Sequence, residues 1–131
     1  MLTLKIKKLK PDAKLPSYGH PGDAGLDIFC SEAVTFSPGE KTAVPTGIAM
    51  EIPDGYVGLI WDKSGLAVKN GLKLLGGVID SGYRGEILVG MINLSAEVYN
   101  FEKGHKVAQM LIQKKETVEI EEATELAETP R

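Results

Sequence analysis

The chain has 131 residues, 43% hydrophobic and 25% charged, which suits one globular domain with one core and excludes disorder as its main state. Its 15 basic and 18 acidic residues give a formal charge of −3, too slight a field to mark a nucleic-acid or membrane partner. One cysteine excludes an internal disulfide and fits a reducing compartment such as the cytoplasm, and no apolar run approaches the roughly 20 residues that span a bilayer.

The N-terminus alternates Leu2, Leu4 and Ile6 with Thr3, Lys5 and Lys7, so residues 2–9 read as a strand rather than a leader peptide. Lys5, Lys7, Lys8 and Lys10 then form its solvated face. Residues 10–25 carry Pro11, Pro16, Gly19, Pro21, Gly22 and Gly25 and read as loop. Strands follow at 26–30, with Cys30 as a buried, inert thiol, and at 33–36. A turn at Ser37–Glu40 precedes an extended run over 44–52, in which Pro45 marks an edge or an irregular start. Pro53-Asp54-Gly55 turns the chain into a strand over 56–61.

Ser64–Asn70 is the one helical turn, closed at Asn70-Gly71. Residues 72–80 and 86–94 read as two strands of a hairpin with 80–85 as its turn. Strands are expected at 97–101 and 106–113. Val118 and Ile120 alternate with Glu119 and Glu121, which predicts a last strand before a polar tail. So many short strands in a small chain imply an all-β sandwich, jelly roll or barrel.

Four segments concentrate Gly, Asp, Ser and Tyr beyond what turns require: Pro21–Asp27, Lys63–Ala67, Gly77–Ile87 and Gly104–Met110. Each has two readings. Lys63-Ser64-Gly65 can present an ammonium, a hydroxyl and backbone N–H groups to a phosphate, or can simply be a structural loop; it lacks the P-loop pattern. Asp80 can cap a turn or serve as a general base at a strand end. Tyr83 can cover the core edge or stack on a sugar or base. Gln109 lies within an apolar run, where its amide must find partners. His20 and His105 each stand alone, without metal-ligand spacing.

In this order the four segments resemble motifs one to four of the trimeric dUTPase family, over about residues 21–110. The combination Lys-Ser-Gly-Leu-Ala followed by Gly-Val-Ile-Asp-x-x-Tyr-Arg-Gly carries the match. The resemblance implies a distorted jelly-roll or β-barrel-like fold over residues 1–131, assembled as a homotrimer, with about 117–131 as a subunit-exchanged arm. It implies hydrolysis of dUTP to dUMP and pyrophosphate, which limits uracil in DNA and supplies dUMP for thymidylate synthesis. It makes Asp80 the catalytic carboxylate and places Tyr83 against deoxyribose. Gly77, Val78, Ile79 and Leu88 lie around the uracil, and Lys63, Ser64, Gly65 and Gln109 at the phosphates. Asp27 stands near an Mg²⁺ held mainly by substrate phosphates, touching it through water, and Asp23 is a weaker candidate.

Two departures stand beside the match. Lys63 replaces the family's usual arginine, keeping the charge without the bidentate fork. The family's fifth motif, a glycine-rich lid with an arginine and a phenylalanine, is not found after Glu128-Thr129-Pro130-Arg131. Such a chain is expected to bind deoxyuridine nucleotides and to turn dUTP over slowly. The alternatives are a catalytically impaired nucleotide-binding or regulatory protein of the same fold and a dCTP deaminase-like enzyme, whose glutamate motif is absent.

Overall fold

The computed structural model describes residues 1–131 as twelve short strands and one helix. The strands are β1 (Lys5–Lys8), β2 (Ser17–Tyr18), β3 (Leu26–Phe29), β4 (Val34–Phe36), β5 (Lys41–Pro45), β6 (Ile48–Glu51) and β7 (Tyr56–Trp61). Helix α1 (Ser64–Asn70) follows, then β8 (Leu72–Leu75), β9 (Val78–Ile79), β10 (Leu88–Asn93), β11 (Tyr99–Phe101) and β12 (Lys106–Lys114). All pairings are antiparallel, in a five-stranded sheet β2-β3-β12-β7-β9, a three-stranded sheet β5-β10-β8 and two ribbons, β1-β6 and β11-β4.

The alternation of apolar and polar residues turns one set of side chains inward from each sheet. Ile28, Ile60 and Met110 meet Val44, Leu72, Val89 and Met91 in one buried cluster. Phe36 and Phe101 close its end edge to face, with ring centroids 5.8 Å apart. Cys30 is buried, as its apolar run predicts, and its thiol donates to the Glu102 carbonyl at 3.1 Å.

Three expectations from the sequence are corrected here. The extended run over 44–52 is two strands, because Gly47 takes φ +69° and turns the chain between β5 and β6. The stretch 72–80 is also two strands. β8 pairs with β10 as expected, but Gly76 and Gly77 at φ +76° and +131° swing β9 away to pair with β7. A Cβ on Gly77 would lie 2.6 Å from the Ile60 carbonyl oxygen, so only glycine permits this crossing. Finally, residues 115–131 form no strand and are exposed throughout: beyond the Lys115 N–H, which donates to the Gly55 carbonyl at 3.0 Å, no edge of the same chain pairs with this segment. No helix is long and apolar enough to cross a membrane.

Candidate active site

The residues singled out from the sequence fall into two groups on this chain. In the first, Val78, Ile79, Asp80, Tyr83, Glu86 and Leu88 line a cleft of about 160 Å³. Asp80 lies just past β9, exposed, and its carbonyl accepts the Tyr83 N–H at 3.1 Å to close a tight turn. The Asp80 carboxylate itself has no partner. The Tyr83 hydroxyl donates to the Glu86 carbonyl at 2.7 Å, which folds the ring back over Gly85. A Cβ at Gly85 would sit 2.6 Å from that hydroxyl, so the glycine makes room for the ring. Gly77 stands behind this cleft, in the wall of a neighbouring one of about 180 Å³ that also holds Trp61.

The second group gathers where β3, β12 and the β7–α1 junction meet. Asp27 is buried, yet both its oxygens are taken: Lys63 Nζ lies 2.5 Å from Oδ1 and Lys106 Nζ 3.2 Å from Oδ2. Burial by itself would push the Asp27 carboxyl up, but hydrogen bonds from Lys63 and Lys106 outweigh it and hold the group below its ordinary value of 3.8. Gln109 stands opposite Asp27 on one side and Trp61 on the other. Its amide finds the partner that a half-buried amide requires, donating to the Asp62 carbonyl at 2.9 Å. Its oxygen lies over Gly25, where a Cβ would come within 2.5 Å.

Ser64 and Gly65 open α1 in the exposed first turn, just after Lys63, and no side chain caps that turn. Their N–H groups lack intrahelical acceptors, as in the first turn of any helix.

Two residues of the second group were not singled out from the sequence. Lys106 reaches Asp27 because the β3–β12 register shifts by one residue between Lys106 and Ala108, which places Lys106 opposite Phe29. An unbroken register would put it opposite Cys30, on the other face. Asp62 ties down both ends of the α1 segment: its Oδ1 accepts the Leu74 N–H at 2.7 Å and its Oδ2 pairs with Lys73 at 2.5 Å.

The groups are far apart. Asp27 and Asp80 are separated by three strand spacings across β3-β12-β7-β9 and by about four residues along the strands, which amounts to roughly 20 Å. No three His, Cys, Asp or Glu side chains converge to hold a metal ion.

The dUTPase family profile matches residues 11–131. The chain belongs to the dUTPase family. A deoxyuridine 5'-triphosphate nucleotidohydrolase of Clostridium tetani is 47% identical over 131 residues, covering 98% of this chain and 90% of its own length. The enzyme of the same name from Clostridium kluyveri is 46% identical, covering 99% and 92%. Among solved structures, the Staphylococcus bacteriophage 80alpha dUTPase with dUPNHPP superposes with a TM-score of 0.90 at 32% identity, covering 98% of this chain and 92% of that one. The all-β architecture is thus that of dUTPases, and the four segments lie inside the matched region.

Proposed function

We infer that the chain hydrolyses dUTP to dUMP and pyrophosphate, and that it does so with Asp80 as general base. The observation that carries this reading is a free carboxylate, Asp80, in a narrow cleft beside the Tyr83 ring in a member of the dUTPase family. Asp80 takes a proton from water as the water oxygen bonds to the α-phosphorus. The bond from that phosphorus to the bridging oxygen breaks, and pyrophosphate leaves with the electron pair. The backbone around Gly77, Val78, Ile79 and Leu88 reads uracil, and Tyr83 leaves no room for a 2′-hydroxyl on the sugar. Lys63, Ser64, Gly65 and Gln109 hold the phosphates, with Lys106 beside them.

The donor set fits an Mg²⁺ carried in on phosphate oxygens and water rather than one caged by protein. With both oxygens on ammonium groups, Asp27 would approach such an ion through water. Bound there, the ion neutralises charge on the triphosphate. A solved dUTPase of phage phi11 of S. aureus, 31% identical, is described with a structural Mg(II) ion.

A nucleotide cannot touch both groups of one chain across roughly 20 Å, so the working site joins the Asp80 cleft of one copy to the Lys63 cluster of another. The assembly is a homotrimer. Two features support it. Only 26 of the 131 residues are buried in the lone chain, leaving much apolar surface for partners. Residues 117–131 carry Val118, Ile120 and Leu126 largely in solvent, as an arm made to lie on a neighbour would.

Pyrophosphate release from dUTP, dCTP and UTP tests the reading. Turnover confined to dUTP is expected. Release of ammonia from dCTP would mark a deaminase, and nucleotide binding without turnover would mark a regulatory relative.

A further inference from the structure

The cleft around Tyr83 is held from behind by a segment that does not line it. Thr46 and Gly47 join β5 to β6 and, with Ile48 at the start of β6, grip Glu86 and Ile87, the downstream leg of the Asp80 turn. The Thr46 hydroxyl donates to the Ile87 carbonyl at 2.6 Å, and the Ile87 N–H donates to the Ile48 carbonyl at 2.9 Å. The Gly47 N–H donates to Glu86 Oε2 at 3.0 Å. Thr46 and Ile87 are buried at 1% and 0% exposure, so this grip is shielded from water. Gly47 is confined as well: a Cβ there would lie 3.0 Å from the Ser31 Cβ and 3.1 Å from the Ala13 Cβ. The Tyr83 hydroxyl hangs on the other side of the same leg, on the Glu86 carbonyl.

We propose that Thr46 and Glu86 are positioning residues for substrate specificity: they fix the Glu86 carbonyl, and through it the height of the Tyr83 ring over the sugar. The proposal rests on the reading that Tyr83 excludes a 2′-hydroxyl. A ring tethered at its far end can exclude one oxygen atom only if the tether point does not move. Thr46 lies outside the walls of the cleft and can act only through Ile87 and Glu86. Glu86 lines the cleft and is braced by the bond to Gly47.

The test is the ratio of kcat/KM for dUTP to that for UTP in the wild-type protein and in Thr46→Val, Glu86→Ala, Glu86→Gln and Tyr83→Ala, with Tm measured alongside. Thr46→Val keeps the shape and removes the bond, so the ratio falls about fivefold, the factor for one ordinary hydrogen bond. Glu86→Ala lowers it similarly. Glu86→Gln keeps an oxygen for the Gly47 N–H and retains most of the ratio. If Thr46→Val does not fold, the Glu86 pair carries the test alone. Should Tyr83→Ala lower the ratio while Thr46→Val and Glu86→Ala change only Tm, the bonds are structural and the proposal falls. Should Tyr83→Ala leave the ratio unchanged, the sugar-reading role of Tyr83 fails first and takes this inference with it.

Discussion

Asp27 and Lys63 meet at 2.5 Å, with the carboxylate 7% and the ammonium side chain 31% exposed. A second ammonium, Lys106, takes the other carboxylate oxygen. The buried carboxylate thus holds two ammonium groups side by side, one from the β7–α1 junction and one from β12.

This pairing gives a defined pH response. The folded-state pKa of Asp27 lies below its unfolded value, so the stabilisation is present above about pH 4 and is lost as pH falls through the lower folded value. Asp27→Asn is therefore expected to lower stability at pH 7, by about 1–3 kcal/mol for a lost charge-assisted bond, and to flatten the acid limb between pH 4 and the folded pKa. Denaturant melts of both proteins across pH 2–7 check this. Parallel curves with a constant gap would remove Asp27 as the titrating group.

Asp80→Asn is expected to cut dUTP turnover about 10²–10⁴-fold while leaving dUMP affinity nearly unchanged. The amide keeps the size of the side chain and cannot accept a proton from water. Turnover by stopped assay and dUMP binding by calorimetry separate the two effects. Near-normal turnover would show that another group is the base.

Gly25→Ala should displace the Gln109 amide, because the new methyl would fall 2.5 Å from Gln109 Oε1. The cost is that of overpacking, about 1–3 kcal/mol, together with weaker triphosphate binding. Deoxyuridine, which lacks phosphates, should bind as before. Equal losses for nucleoside and nucleotide would place Gln109 away from the phosphate end.

Mixing two impaired variants tests the shared site. Asp80→Asn and Gln109→Ala chains, the first inactive and the second impaired at subsaturating dUTP, should together exceed the mean of their separate turnovers after denaturation together and refolding. Some sites in the mixed assembly then combine an intact Asp80 cleft with an intact Gln109 cluster. Light scattering on the pure protein should give the mass of three chains. A monomer at micromolar concentration, or no recovery on mixing, would sink the idea.

Much of this was legible in the sequence because it is local. Ser64–Asn70 is a helix with a left-handed Gly71 at its end, as Asn70-Gly71 signals, and β3, β4, β7 and β12 lie where the apolar alternation puts them. What escaped was non-local. The departure of β9 from the expected hairpin depends on the Gly77 backbone fitting against Ile60, more than ten residues away. Lys106 joined the Asp27 cluster only through a register shift that neither strand announces. The partnership of Gln109 followed from burial, but its partner is the Asp62 carbonyl on another strand's end. The Val118–Glu121 alternation was a sound strand signal with no edge of its own chain to join.

That exposed tail has a consequence for the fate of newly made chains. Residues 116–131 lie in solvent beyond the last hydrogen bond of the sheet, from the Lys115 N–H to the Gly55 carbonyl at 3.0 Å, with no ladder to resist an endoprotease. In the proposed trimer an assembled chain would hide this segment against its neighbour, and an unassembled one would leave it open to cutting. Unassembled subunits should thus be cut first, and limited proteolysis should report the fraction of chains that have found partners.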